Sequence, residues 1–188
     1  MAVVKSLRMH VTQVLPALAA LLLLATGAAR AETGREIDAH VNAALDRFVA
    51  EVKGGRGLLA RANAALVLPK VVKGGIIVGG EYGEGALREG GRTVAYYSVA
   101  SASLGLTLGG EVKDLIVLFM DESALKKFRR SQGWEAGLDG NIAVIRTGGG
   151  ASVDTTSVRE PIIGFVVGVK GLLVDASFKG SKFSPIKR

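Results

Sequence analysis

Apolar residues Ile37, Val41, Ala44, Leu45, Phe48 and Val52 recur at steps dominated by three and four, while Asp38, Asn42, Asp46, Arg47 and Glu51 fall largely between them. That period lines one side of a helix. Thr33 and Glu36 stand just ahead, hydroxyl first and carboxylate three later, the spacing of a capping box. Gly54-Gly55 ends the run, and GRGLLARAN (55–63) predicts a second short helix with Leu58, Leu59 and Ala62 inward. Pro69 closes whatever precedes it.

Beyond Pro69 the pattern changes period. IIVG (76–79), TVAYYSV (93–99), LGLTL (104–108), LIVLFM (115–120), NIAVI (141–145), IIGFVVGV (162–169) and LLVDASF (172–178) are short β-branched or apolar runs parted by glycines and polar turns. From Val94 to Leu108 the residues alternate with period two, one face apolar. That stretch is long against a usual strand of about 5–6 residues, so a bend or bulge is predicted near Ala100–Ser103. One helix interrupts the strands near 121–132: Asp121 caps it, Ala124, Leu125 and Phe128 face inward, and Lys126, Lys127, Arg129 and Arg130 gather toward its C-terminal end. Asp139-Gly140 before NIAVI predicts a tight hairpin, and 148–161 reads as a loop. The fold class is therefore α+β: N-terminal helices packed on a curved, mainly antiparallel sheet, sandwich- or barrel-like, with one further helix.

The first residues stand apart. Lys5 and Arg8 precede the apolar run from Val14 to Gly27, and Ala29-Arg30-Ala31 supplies a small-x-small site. A basic start, a short apolar centre and such a site predict a secretory signal peptide over 1–31. The 188 residues then leave a single domain over 32–188, helical to 63 and mainly β from 64. Losing Lys5, Arg8 and Arg30 lowers the net charge from +7 to +4, which permits an anionic surface as partner and does not call for nucleic acid. The chain has no cysteine, so disulfides, zinc thiolates, a thiol nucleophile and a lipidated N-terminal cysteine are excluded. The predicted location is exported and periplasmic, peripheral to a membrane if attached to one, and not a lipoprotein.

Candidate chemistry centres on KGGIIVGGEYGEGAL (73–87). It lacks the Gly-Lys-Ser/Thr of a P-loop, and Arg88 stands where a dinucleotide loop needs its last glycine. Glu81 and Glu84 offer a carboxylate pair for a hydrolase, yet positions three apart on a strand face opposite sides. His40 lies on the first predicted helix with no nucleophile elbow elsewhere. Leu138-Asp139-Gly140-Asn141 lacks the remaining ligands of a calcium loop, and no metal site or cofactor is predicted. An outer-membrane barrel is disfavoured by the helical N-terminal third. What remains is basic charge: Lys53, Arg56, Arg61, Lys70 and Lys73 near the second helix, with Lys179 and Lys182 toward the end, are the candidate head-group contacts.

Four stretches in order, LVLPKVVKGGIIVGGEYGEGAL (66–87), YYSVASASLGLTLGGE (96–111), LFMDESALKKFRRSQGWEAGLDG (118–140) and KGLLVDASFKGSK (170–182), resemble the SYLF (Ysc84) domain. The resemblance runs from about Ala44 to Lys182. It rests most on Gly79, Gly80, Glu81, Tyr82, Gly83, Glu84 and Gly85, and on Ser131, Gly133, Trp134, Glu135, Asp139 and Gly140. What the resemblance implies is phospholipid binding. Eukaryotic members are membrane-associated modules that bind phosphoinositides, and yeast relatives also bind actin. Lipid binding there is attributed partly to an N-terminal amphipathic helix, matched here by 36–63, whose polar side is mixed in charge. Bacterial relatives are exported, often as lipoproteins. Anionic phospholipid is the ligand class the resemblance carries over. The leading expectation is a non-enzymatic exported protein that binds it. The alternatives are an envelope scaffold or protein-interaction module, and third a hydrolase using Glu81 and Glu84.

Overall fold

Capping and periodicity place the first helix where the sequence predicts it. In the computed structural model, α1 runs Gly34–Glu51, with Thr33 Oγ1 accepting from the Glu36 amide at 3.3 Å and Glu36 Oε2 accepting from the Thr33 amide at 2.7 Å. Gly54 turns the chain at φ 85°, and α2 follows over Gly55–Arg61. The structure describes residues 31–75, 78–104, 109–146, 159–171 and 178–188. Nearly all of the predicted signal segment lies outside them, as do parts of the predicted strands at 76–79, 104–108 and 172–178 and most of the 148–161 loop.

The strands are β1 Ala64–Gly75, β2 Val78–Glu89, β3 Arg92–Leu104, β4 Gly109–Phe119, β5 Trp134–Glu135, β6 Ala143–Arg146, β7 Ile162–Gly171 and β8 Lys182–Ile186, with α3 over Glu122–Arg130. They form one sheet in the order β5-β8-β3-β2-β1-β4-β7-β6. All neighbours are antiparallel except β6 and β7. β5 and β6 are opposite edges, yet residues 136–142 join them. Eight chain steps reach at most ~29 Å, while a flat sheet of eight strands at ~4.8 Å spacing is ~34 Å across. The sheet must curl, and it does so as a half-barrel.

Each face carries a hydrophobic cluster. On the inner face Leu66, Val71, Leu87, Val99, Val117 and Phe119 pack with Phe128 of α3 and with Trp134 and Phe183. Phe128 is the hub, its ring 4.9 Å from Tyr97, 4.8 Å from Phe119 and 5.8 Å from Trp134. On the outer face Ile37, Val41, Ala44 and Phe48 of α1 are 0% exposed, packed with Val67, Ile116, Leu118 and Phe165 of the sheet.

Two expectations change. The pairing of β2 with β3 runs without a register shift across Ala100–Ser103, and the shift on that ladder falls at Leu87/Arg88. The main irregularity belongs to β1, where both its ladders slip between Val67 and Val72, around Pro69 and a Lys70 at φ 51°. Proline supplies no ladder donor, so the bulge sits there. The bulged strand folds tightly over β2: a Cβ on Gly85 would collide with the Val67 carbonyl oxygen. NIAVI also does not return as a hairpin. The turn closes on itself, with Asp139 Oδ2 accepting from the Glu135 amide at 2.7 Å and Gly137 at φ 95°. The chain then crosses to the far edge, where β6 lies parallel to β7.

Candidate functional site

The two glutamates of the signature stretch are separated by strand parity. Glu81 faces inward and is 6% exposed, with its Oε2 3.1 Å from Lys113 Nζ. The same ammonium lies 3.1 Å from Glu111 Oε1. Lys73 pairs in register with Glu81 on one side and Glu111 on the other, and it is buried too. Two lysines and two glutamates thus form a buried, charge-balanced group across β2, β1 and β4. Glu81 Oε1 and Glu111 Oε2 accept no hydrogen bond among the described residues.

Glu84 faces outward. Tyr82 Oη donates to its Oε1 at 2.7 Å, Arg188 Nε donates to its Oε2 at 3.1 Å, and Arg188 Nη2 closes on Oε1. The Arg188 hydrogen bond holds the Glu84 carboxyl below its ordinary range, and the bond to Glu84 raises the Tyr82 phenol. Glu81 and Glu84 lie on opposite faces of β2, so the carboxylate pair that the hydrolase alternative requires is not formed.

Helix α1 is held to the outer face from both flanks. Asp38 accepts from Thr93 Oγ1 at 2.6 Å and from Tyr96 Oη at 3.2 Å, while Arg88 reaches Asn42 Oδ1 at 2.9 Å. On the other flank Arg47 binds Asp114 at 2.6 Å, and Asp114 Oδ1 accepts from the Lys70 amide at 2.9 Å. The apolar stripe of α1 is therefore packed on the sheet and not presented outward.

Between Glu51 and Glu81 the chain carries five basic residues and no acid. Lys53, Arg56, Arg61 and Lys70 are exposed, and Lys73 is buried in the ionic group. The first three gather around α2. Lys70 lies further along β1, its Nζ 2.7 Å from His40 Nε2. Lys182 is exposed on β8, three strands from β1. Lys179 borders a cleft of about 390 Å³ with Phe178 and Ile142. The seven candidate cations are thus not one cluster.

The Ysc84 family model, described as "Las17-binding protein actin regulator", matches residues 100–187. Residues 100–187, a little under half of the chain, are thus similar to the Ysc84 domain. No curated protein matches it. Within the matched stretch, the Ser131-to-Gly140 motif builds a turn around Trp134. Ser131 Oγ accepts from the Gly133 amide at 3.2 Å, Trp134 is 2% exposed, and a Cβ on Gly140 would lie 2.9 Å from the indole. Of the described residues before Ala100, both N-terminal helices, β1 and β2 complete the same sheet and its outer layer.

Sequence reasoning misses Glu111 and Lys113. Their signal is present: they share parity with Leu115, Val117 and Phe119, so a strand that buries those three buries both charges as well.

Proposed function

We propose that this protein is a non-enzymatic, exported module that binds anionic phospholipid at the surface of the cell envelope. The observation that carries the reading is the run from Lys53 to Lys73, five cations without an acid, four of them exposed. Each cation near an anionic leaflet adds about 1 kcal/mol, so several acting together give a useful, salt-sensitive affinity. Lys53, Arg56, Arg61 and Lys70 are the contacts nearest the helices, with Lys179 and Lys182 as further ones. Export rests on the basic start and apolar run of the first 31 residues.

The test is co-sedimentation of the purified protein with vesicles of phosphatidylcholine alone and with phosphatidylglycerol added. Binding is expected to the anionic vesicles and to weaken as salt rises. Equal and negligible binding to both at low salt overturns the reading. A second reading, a protein-interaction module, is favoured by the description of the matching family. It predicts one stoichiometric partner recovered from envelope extracts, with no vesicle binding.

A further inference from the structure

One row of the sheet crosses six strands on the outer face, beyond the cover of α1. Lys182 of β8 pairs with Ala100 of β3, Ala100 with Tyr82 of β2, Tyr82 with Val72 of β1, Val72 with Val112 of β4, and Val112 with Lys170 of β7. Directly paired residues point to the same face. Val72 is 55% exposed, Tyr82 54% and Val112 38%, and Ala100, Lys170 and Lys182 are exposed as well. The row is an apolar centre with a lysine at each end, and five strand spacings make it ~24 Å long.

Its neighbours suit a flat anionic surface. On one side, Gly74 pairs with Gly80 and Gly110, so the adjacent row carries no side chain on β2, β1 and β4. On the other, Glu84 is matched by Arg188 and Asp114 by Arg47, and at one end of the row half-buried Glu135 of β5 is itself the direct partner of Lys182. They present little net negative charge to a bilayer. Valine and tyrosine suit the interface, where the phenol stays hydrated and the ring sits at head-group depth.

We infer that this row is the membrane-docking surface: Val72, Tyr82 and Val112 enter the interface of an anionic bilayer while Lys170 and Lys182 meet its phosphates. The inference rests on the proposed lipid-binding reading and adds to its candidate contacts, of which the row holds Lys182, an apolar surface for the bilayer. It also places contact on the open sheet face, because the apolar stripe of α1 is already buried. Charge argues against a second copy as occupant. Laying one row on another sets lysine against lysine at both ends in either direction.

The test compares the purified wild type with Lys170→Glu/Lys182→Glu and with Val72→Ser/Val112→Ser on phosphatidylcholine vesicles with and without phosphatidylglycerol. All four positions are exposed, and unchanged melting establishes that the variants are folded. Losing two cations near the leaflet accounts for about thirty-fold weaker binding, and the two added carboxylates make the expected loss at least that large. The chain has no cysteine, so Val72→Cys and Leu138→Cys each accept one environment-sensitive fluorophore. A blue shift with anionic vesicles is expected at position 72 and not at 138. If the wild type binds neither vesicle, the lipid reading fails and the row with it. If it binds while both row variants bind equally well, the row alone is refuted. A wild-type dimer that the row variants abolish, with vesicle binding untouched, also refutes it in favour of a second copy.

Discussion

Lys113 holds two buried carboxylates, so Lys113→Met is a severe perturbation despite its similar shape. Methionine keeps most of the aliphatic stem and removes the ammonium. Glu81 and Glu111, with side chains 4% and 0% exposed, then lose the cation at 3.1 Å from each. Breaking a buried ion pair from one side costs about 3–5 kcal/mol, because the remaining charge is left uncompensated. Lys73 still stands between the two carboxylates in register, which places the expected loss near the lower figure, about 3 kcal/mol. For a domain of this size that lowers the melting temperature by roughly 6–12 °C. Urea titration followed through the single, buried Trp134 measures it. Adding Glu111→Gln to the same chain leaves Glu81 with Lys73, restores the charge balance and should recover at least half of the loss. A single variant destabilised by less than about 1 kcal/mol refutes the reasoning, and a double variant as weak as the single one assigns the effect to packing instead.

Gly85→Ala drives a methyl into the β1 backbone and should cost about 3 kcal/mol or more in the same titration, whereas Gly57→Ala in α2 meets nothing within 4 Å and should be neutral or slightly stabilising. Arg188→Ala tests the outward carboxylate through pH. The folded-state pKa of Glu84 is depressed, so the stabilisation is present above the ordinary carboxylate range and is lost as pH falls through the lower folded value. The variant should be weaker than wild type by about 1 kcal/mol near neutral pH, with the gap closing in acid. A gap that stays constant with pH contradicts that origin.

The helices are legible in the sequence because their information is local: Thr33 and Glu36 form the capping box, and the apolar residues of α1 keep one period throughout. The opposite facing of Glu81 and Glu84 is legible for the same reason, since parity along one strand fixes it. What lies beyond reach is the effect of the β1 bulge. Strict alternation from Leu66 and Leu68 would put Lys70 inward and Lys73 outward. One extra residue near Pro69 reverses the parity, so Lys70 and Val72 face out while Val71 and Lys73 face in. The buried ionic group and the exposed row both follow from that reversal. Neither can be read without the ladder register, which joins residues from six separate strands.

The sheet's two edges have a consequence for self-association. An open half-barrel leaves unpaired backbone groups along both borders, and a long edge strand would template the addition of another chain. Here the border strands are β5, two residues long, and β6, four residues long. Among the described residues, edges that short offer few consecutive donors and acceptors to an incoming strand, so growth into ribbons finds little template along β5 and β6.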